Sequence, residues 1–158
     1  MNILVLCTGN SARSILLESI FNTLGAGRVR AYSAGSNPTG KVHPQSLVLL
    51  KELGHDTSGA RSKSWDEFAA GDAPEMDMVI TVCASAAGET CPVWPGAPVR
   101  AHWGAEDPAA AEQPDWDAAF RAAYATLEKR AKALLELPFE TMSAVELTQQ
   151  LKRIGKIA

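Results

Sequence analysis

One cysteine and one arginine stand at a spacing that suits chemistry on an anion. Cys7 and Arg13 enclose five residues in the segment Cys-Thr-Gly-Asn-Ser-Ala-Arg-Ser. A loop of this length can curl so that successive N–H groups point at one tetrahedral oxyanion, at the positive end of the following helix. Arg13 adds two parallel donors that match two oxygens of such an anion. The same field is expected to lower the pKa of the Cys7 thiol, so that it attacks as a thiolate.

The residues of this loop form the rest of the predicted anion cradle. Gly9 and Asn10 tolerate the unusual backbone angles that such a turn requires, and the Ser14 hydroxyl can donate to the cysteine sulfur. The alternative is a purely structural role, with a buried cysteine beside a surface arginine. This alternative would explain any one of these residues but not their occurrence together. The residues expected to bind the oxyanion are Thr8, Gly9, Asn10, Ser11, Ala12, Arg13 and Ser14.

The elements that would position this loop alternate between strands and helices. Apolar runs predict strands at 2–7, 28–33, 77–83 and 98–103. Apolar periodicity predicts helices at 15–24, 43–53, 64–69, 115–137 and, as a terminal helix, about 142–154. This order favours an α/β fold, with an open, mainly four-stranded parallel sheet and helices on both faces. Ligands of such sheets bind beyond the carboxyl ends of the strands, where Cys7 and Cys83 both lie.

Length and composition exclude several classes of protein. The chain has 158 residues, 46% of them apolar, which predicts a single domain over 1–158 with a full core. A net charge of −3 without a basic stripe argues against a nucleic-acid partner. Because no apolar stretch reaches the roughly 18–20 residues that span a bilayer and no signal peptide is evident, we expect no membrane partner and a cytoplasmic location. Three cysteines are an odd number, unlike the pairs of a secreted disulfide scaffold.

The segment 7–14 resembles the phosphate loop of the low-molecular-weight tyrosine phosphatase superfamily and of its redox branch, the thiol-dependent arsenate reductases. The similarity continues through 32–35, 77–91 and 102–104, followed by Asp107-Pro108. In this superfamily a thiolate attacks the oxyanion in line and an aspartic acid protonates the leaving oxygen. The resemblance assigns that acid to Asp107, whereas the Asp-Pro dipeptide alone would indicate only a turn.

The other two cysteines separate the branches of the superfamily. Ala12 stands where the phosphatases carry a second loop cysteine, and alanines follow the Asp-Pro motif where they place aromatic residues. The pair Cys83 and Cys91 instead resembles the arsenate reductases. The resemblance implies reduction of arsenate to arsenite, for arsenic detoxification, through a disulfide that moves from Cys7–Cys83 to Cys83–Cys91. Thioredoxin or a glutaredoxin-type protein would then reduce that disulfide.

The spacing of this cysteine pair constrains its structure. On one straight helix the two Cα atoms would lie ~12 Å apart, beyond the ~7 Å limit for a disulfide. The segment 84–90 must therefore form a loop or a marginal helix when the pair is oxidised. Two inert core thiols are one alternative. A zinc site is another, although no second close Cys/His pair accompanies this one.

The predicted steps are thiolate displacements, so we expect no organic cofactor and no metal. Some relatives bind potassium near the loop through a glutamate of the first helix, and Glu18 matches that position. Lys63 stands where a further oxygen ligand would be, and it can supply positive charge in place of the ion. His43 and His55 flank a helix and are expected in solvent.

Three functions stay open at this point. The first is an arsenate reductase with arsenate and a thiol reductant as its partners. The second is a low-molecular-weight tyrosine phosphatase that forms a cysteinyl-phosphate with Cys7, Arg13 and Asp107 alone. The third is a non-catalytic anion sensor or redox-regulated binding protein. The resemblance of the cysteine pair favours the first.

Overall fold

The residues that the structure describes form one β-sheet of four strands. The structure is a computed structural model, and it describes residues 1–69, 72–83 and 98–157. Its strands are β1 (Asn2–Leu6), β2 (Arg30–Ala34), β3 (Met78–Thr81) and β4 (Val99–His102). They lie in the order β2-β1-β3-β4, and all three pairings are parallel. The predicted α/β class with a four-stranded parallel sheet is therefore confirmed.

Strand β1 is an inner strand of the sheet, and its apolar side chains are packed against other residues on both faces. Ile3 and Val5 join one hydrophobic cluster, whereas Leu4 and Leu6 join the other. Successive residues of a strand point to opposite faces, which explains this alternation. All four side chains are fully buried.

The register of the sheet places the two described cysteines side by side. Leu6 is level with Ala34 of β2 and with Thr81 of β3. The segments that leave β1 and β3 therefore start from neighbouring positions at one edge of the sheet. Cys7 follows the first of these strands directly and Cys83 follows the second after one further residue.

Four α-helices are formed by the described residues: α1 (Arg13–Leu24), α2 (Pro44–Glu52), α3 (Trp116–Leu135) and α4 (Ala144–Ile154). The predicted segment 64–69 is a short 3-10 helix at Trp65–Phe68. Side-chain caps start two of the helices. His43 Nδ1 accepts from the Gln45 N–H before α2, and Ser143 Oγ accepts from the Glu146 N–H before α4.

The larger hydrophobic cluster lies on the Ile3 and Val5 face and contains buried residues of all four helices. The terminal helix α4 belongs to it through Leu147, Leu151 and Ile154. On the opposite face, the 3-10 helix Trp65–Phe68 contributes Phe68 to the smaller cluster.

Some sequence expectations fall outside the described residues, namely Cys91 and the predicted loop or marginal helix at 84–90. Within the described ranges, no helix combines the length and the apolar character needed to cross a bilayer.

Candidate active site

A cavity of about 370 Å³ lies at the carboxyl ends of β1 and β3. It brings together four of the five residues predicted to be catalytic, since Cys7, Arg13, Cys83 and Asp107 all line it. The other lining residues are Thr8, Gly9, Asn10, Ser11, Ala12, Thr39 and Ala109. A larger cavity of about 600 Å³ lies between α1, β2 and residues 56–60, but neither Cys7 nor Cys83 lines it.

The main chain of the predicted cradle turns its carbonyl groups away from the cavity. The carbonyl oxygens of Thr8, Gly9 and Ser11 each accept a hydrogen bond of 3.0 Å from a main-chain N–H of the segment 37–43. With these acceptors engaged by the segment 37–43, we expect the N–H groups of residues 9–12 to face the cavity that these residues line. Such an array of N–H groups is a concave site for an anion.

Asn10 holds the turn of the cradle from within. It is fully buried, and its φ of 47° lies in the left-handed region, which asparagine enters more readily than most residues. Its Oδ1 accepts from the Lys63 N–H at 3.0 Å, and its Nδ2 donates to Ser14 Oγ at 2.8 Å. The unusual backbone predicted for Asn10 is thus confirmed, whereas Gly9 is not among the residues with positive φ.

Ser14 does not line the cavity, contrary to its predicted place among the anion-binding residues. It is fully buried in the first turn of α1, where its oxygen supports Asn10. A hydrogen bond from Ser14 to the Cys7 sulfur stays a prediction.

Gly35 allows β2 to pass directly under the cradle. A Cβ at this position would lie 2.3 Å from the carbonyl oxygen of Thr8 and 2.8 Å from that of Cys7. Real Cβ atoms do not approach backbone so closely, so only glycine fits here. The Gly35 N–H donates to the Lys63 carbonyl at 2.9 Å, which connects β2 to the segment that holds Asn10.

Arg13 offers a buried donor at the cavity. It is the first residue of α1, a helix that has no side-chain cap, so the N-terminal N–H groups of the helix are available to a ligand. Arg13 Nη1 donates to the Ala105 carbonyl at 2.8 Å, and Nη2 lies 3.6 Å from Asp107 Oδ2. Its Nε is buried and has no hydrogen-bond partner among residues 1–69, 72–83 and 98–157. An oxyanion in the cradle would give this donor an acceptor.

Asp107 faces the cradle from a loop that follows β4. Its Oδ1 accepts from the Ala109 N–H at 3.0 Å and so caps the 3-10 helix Pro108–Ala110. Its other oxygen faces Arg13, and the side chain is 44% exposed. The carboxyl group therefore has a fixed direction and access to solvent protons.

The Cys7 thiol is hydrogen bonded to Cys83, and both cysteines are buried thiols. The main-chain N–H of Thr8 donates to Cys83 Sγ at 3.2 Å. The hydrogen bond to Cys83 and burial raise the pKa of Cys7 above its usual range, whereas Arg13 and the Thr8 main chain act to lower it. The predicted direction of the pKa shift is therefore wrong, because the contact with Cys83 and burial outweigh the field of Arg13.

A buried lysine lies behind the cradle. Lys63 Nζ donates to the Arg61 carbonyl at 3.0 Å and to Ser33 Oγ at 3.5 Å. Ser33 Oγ in turn donates to Glu18 Oε2 at 2.8 Å. Burial lowers the pKa of Lys63 and raises that of Glu18, and each charge partly offsets the shift of the other.

These residues do not fit a bound metal cation, because an ammonium group already supplies the positive charge. Across residues 1–69, 72–83 and 98–157, no group of three or more His, Cys, Asp or Glu side chains is arranged to hold a metal.

Thr39 and Ala109 also line the cavity and were not among the predicted site residues. Thr39 reaches it because its N–H donates to the Gly9 carbonyl. A contact between two loops leaves no periodicity or spacing in the sequence. Ala109 directly follows the Asp-Pro motif. The sequence therefore indicated that it lies near the site but not that it lines the cavity.

Known proteins share both the sequence and the fold. The arsenate reductase of Halalkalibacterium halodurans is 38% identical over 133 residues, which are 83% of this chain and 92% of that protein. The glutaredoxin arsenate reductase of Synechocystis sp. is 33% identical over 67% of this chain and 77% of its own length. A solved structure of an arsenate reductase in the phosphate-binding state superposes with a TM-score of 0.68 at 29% identity, over 85% of this chain and 96% of the other.

The family match covers nearly the whole chain. Residues 2–152 match the family described as low molecular weight phosphotyrosine protein phosphatase. The match includes the cradle, both described cysteines, Asp107 and most of α4. The chain belongs to the low molecular weight phosphotyrosine protein phosphatase family.

Proposed function

We propose that this protein reduces arsenate to arsenite for arsenic detoxification, using a thiol reductant. One observation carries the proposal: a second cysteine sulfur, Cys83, is hydrogen bonded to the nucleophile Cys7 inside the anion cavity. Transfer of a phosphoryl group needs one thiolate, whereas reduction of As(V) needs two electrons, which a pair of thiols supplies on forming a disulfide. The arsenate reductases to which the chain is similar support the same activity.

The first step forms a bond between Cys7 and arsenic. Arsenate enters the cradle, where inward N–H groups and Arg13 neutralise its charge. Its binding supplies the acceptor that Arg13 Nε lacks. The Cys7 thiol passes its proton to an arsenate oxygen as the anion binds, and the thiolate attacks arsenic. One As–OH bond breaks, and Asp107 gives its proton to the departing hydroxyl, which leaves as water.

The second step reduces arsenic. The Cys83 thiolate attacks the sulfur of the Cys7–arsenic adduct and forms the Cys7–Cys83 disulfide. The As–S bond breaks, and its electron pair leaves with arsenic, which becomes As(III). The N–H of Thr8 already donates to Cys83 Sγ and so stabilises a negative charge on that sulfur.

The third step frees the nucleophile. Cys91 attacks Cys83, the disulfide moves to Cys83–Cys91, and Cys7 leaves as a thiolate. The role proposed for Cys91 rests on the resemblance of the Cys83 and Cys91 pair to that of the arsenate reductases. We infer a thioredoxin-type reductant, because three cysteines suffice for an intramolecular relay that ends in a protein disulfide. A glutaredoxin-type donor is the alternative, since one similar protein is a glutaredoxin arsenate reductase. We infer a cytoplasmic location, because a relay that starts from thiols needs a reducing compartment.

The second candidate is a phosphatase that uses Cys7, Arg13 and Asp107 alone. The same cradle accepts phosphate, which is a tetrahedral oxyanion of similar charge. However, Ala109 lines the cavity beside Asp107, so a phenyl ring would meet a methyl group there rather than an aromatic wall. We therefore expect aryl phosphates to be slow substrates.

The test is arsenate-dependent oxidation of NADPH with thioredoxin and thioredoxin reductase as the sole electron source. Sustained oxidation that requires all three proteins supports the proposal and its reductant. If oxidation appears only with glutathione and glutaredoxin, the reductase assignment stands and the reductant is corrected. If no thiol system supports turnover while the same sample hydrolyses an aryl phosphate, the protein is a phosphatase.

A further inference from the structure

Arg130 is a buried arginine that the proposed chemistry does not use. It lies on α3 and is 5% exposed. Its Nη1 donates to the carbonyl oxygens of Trp103 and Gly104, both at 3.0 Å, and its Nε donates to the Ile157 carbonyl at 3.0 Å. Burying a guanidinium group is costly, and the groups it binds here are main-chain carbonyls of two distant segments. This arginine therefore joins the end of β4 to the chain beyond α4.

The terminal helix α4 is seated against the same place. Trp103 is fully buried, and its Nε1 donates to the Leu151 carbonyl at 2.9 Å. A Cβ at Gly155 would lie 2.8 Å from the His102 carbonyl oxygen and 3.0 Å from Trp103 Cδ1. The end of α4 thus approaches β4 as closely as a glycine allows. Arg130 and α4 together hold the residues from which the Asp107 loop departs.

The loop itself, residues 103–107, is held from two sides. Arg130 binds its first two carbonyl groups from behind, while Arg13 binds the Ala105 carbonyl and Asp107 from the cavity. Only a short stretch of chain therefore separates the Arg130 anchor from the carboxyl group of Asp107. A shift of the anchored carbonyls would move that carboxyl group relative to the cradle.

We infer that Arg130, with α4 seated against Trp103, positions Asp107 for proton donation to the leaving oxygen. Arg130 acts as a positioning residue, since it lines no part of the anion cavity. The inference rests on the proposed function, in which Asp107 is the acid. It also gives the terminal helix a role: the helix fixes one wall of the active site from outside.

The test compares two aryl phosphates that differ in their need for an acid. Phenyl phosphate releases a basic phenolate and depends on proton donation, whereas 4-nitrophenyl phosphate releases a stable anion and depends on it little. Asp107→Asn is expected to lower the turnover of phenyl phosphate relative to that of the nitrophenyl ester by about 100-fold. Arg130→Met is expected to change the same ratio in the same direction by about tenfold, since misplacement costs less than removal.

A double variant separates positioning from a general structural role. In an Asp107→Asn background, Arg130→Met is expected to leave the ratio unchanged, because no acid remains to be misplaced. The control is Arg121→Met on the same helix, which removes an exposed arginine paired with Asp117 and Glu52. The inference would be overturned if Arg130→Met kept the wild-type ratio of the two turnover rates. It would also be overturned if Arg130→Met lowered this ratio by the same factor in the wild-type and Asp107→Asn proteins.

Two further variants keep the test decisive if Arg130→Met fails to fold. Arg130→Lys retains a donor for the Trp103 and Gly104 carbonyls. Its ratio of phenyl to nitrophenyl turnover is therefore expected to lie between those of Arg130→Met and the wild type. Gly155→Ala pushes the end of α4 away from His102 and is expected to shift the ratio while the Arg130 side chain itself is retained. If both fold and both keep the wild-type ratio, the inference is wrong.

The outcome is also separable from that of the proposed function. If the wild type reduces arsenate but hydrolyses no aryl phosphate, the same double-variant cycle is measured on single-turnover disulfide formation with arsenate. If the wild type is active and the effects of Arg130→Met and Asp107→Asn are additive, the positioning role of Arg130 is refuted and the proposed function stands. A wild-type protein that processes neither arsenate nor phosphate esters refutes the proposed function, and the inference with it.

Discussion

The main-chain N–H of Thr8 donates to the sulfur of Cys83 across 3.2 Å, although the two residues are 75 positions apart. One N–H of the predicted anion cradle is therefore used by the second cysteine. The same sulfur is hydrogen bonded to Cys7 and raises its pKa. The proton affinity of Cys7 is therefore coupled to the presence of Cys83, which acts against the field of Arg13.

Removing this sulfur is expected to acidify Cys7. In Cys83→Ala the hydrogen bond that most raises the pKa of Cys7 is lost, while Arg13 continues to lower it. The pH dependence of Cys7 alkylation by iodoacetamide should therefore move to lower pH than in the wild type. Mass spectrometry of the labelled peptide keeps Cys7 apart from Cys91. An unchanged or higher midpoint in the variant would contradict the coupling.

Cys83→Ser is expected to divide the two candidate activities. Sustained arsenate reduction should be abolished, because no thiol remains to attack the Cys7–arsenic adduct. Hydrolysis of 4-nitrophenyl phosphate should persist within a few-fold of wild type, because Cys7, Arg13 and Asp107 are retained. Cys7→Ser is the control and should lose both. Persistent arsenate turnover in Cys83→Ser would rule out the relay.

Arg13→Lys is expected to be a severe change despite conservation of charge. Lysine cannot present the planar donor pair of arginine, and it would also lose the bond from Arg13 to the Ala105 carbonyl. We expect kcat/KM for arsenate to fall about 10²–10³-fold, as for the loss of one oxyanion donor. Arg121→Lys, at an exposed position of α3, should retain normal kinetics. If Arg13→Lys kept the wild-type kcat/KM for arsenate, Arg13 would not bind the anion.

Gly35→Ala should damage the cradle from below. Its Cβ would meet the backbone oxygens of Thr8 and Cys7, so the loop must shift. We expect activity to fall about 100-fold for a displacement near 1 Å, with a loss of about 2 kcal/mol in the free energy of unfolding. Gly59→Ala is the matched control, since a Cβ there meets nothing within 4 Å. Urea unfolding and arsenate kinetics on both variants decide the matter.

Lys63→Met should destabilise the protein in a pH-dependent way. The ammonium group lowers the pKa of buried Glu18, so its removal lets burial raise that pKa further. The folded state then holds a proton on Glu18 at pH values where the unfolded chain has released it, and stability falls as pH rises through this window. We expect a loss of about 2 kcal/mol in the free energy of unfolding near pH 8 and a smaller loss near pH 5.

The double variant Lys63→Met/Glu18→Gln controls for the loss of packing at Lys63. Without an ionisable Glu18 the extra cost at high pH should disappear, while any packing cost stays at both pH values. Urea unfolding at the two pH values measures this difference. A cost that does not depend on pH in the single variant would show that the two charges do not interact.

Much of the fold could be predicted from the sequence, because buried parallel strands are continuous apolar runs. The run before Cys7 is such a strand, and the apolar periodicity that ends at Gly25 is α1. The cradle was predictable because its residues are consecutive in the chain. The site of Cys83 followed from the same topology, since parallel strands end at one edge of the sheet.

Buried polar side chains were the features that could not be predicted. Expected in solvent, His55 is instead 9% exposed, with Ser19, Thr23 and Tyr124 around its ring nitrogens. Arg130 looks like a surface charge beside the apolar stripe of α3. Each of these residues is buried because its partners come from distant segments, and no local pattern records those partners. The raised pKa of Cys7 escaped prediction for the same reason, since it depends on the contact with Cys83.

The outward hydrogen bonds of the anion loop have a consequence for synthesis of the chain. Cys7 leaves the ribosome before the segment 37–43 that orients the loop and before Lys63, which holds Asn10. It also emerges before Cys83, which covers its thiol. The loop can therefore take the conformation described here only after the segment 37–43 and Lys63 have been made. The contact between Cys7 and Cys83 comes later still, after β3 has been made.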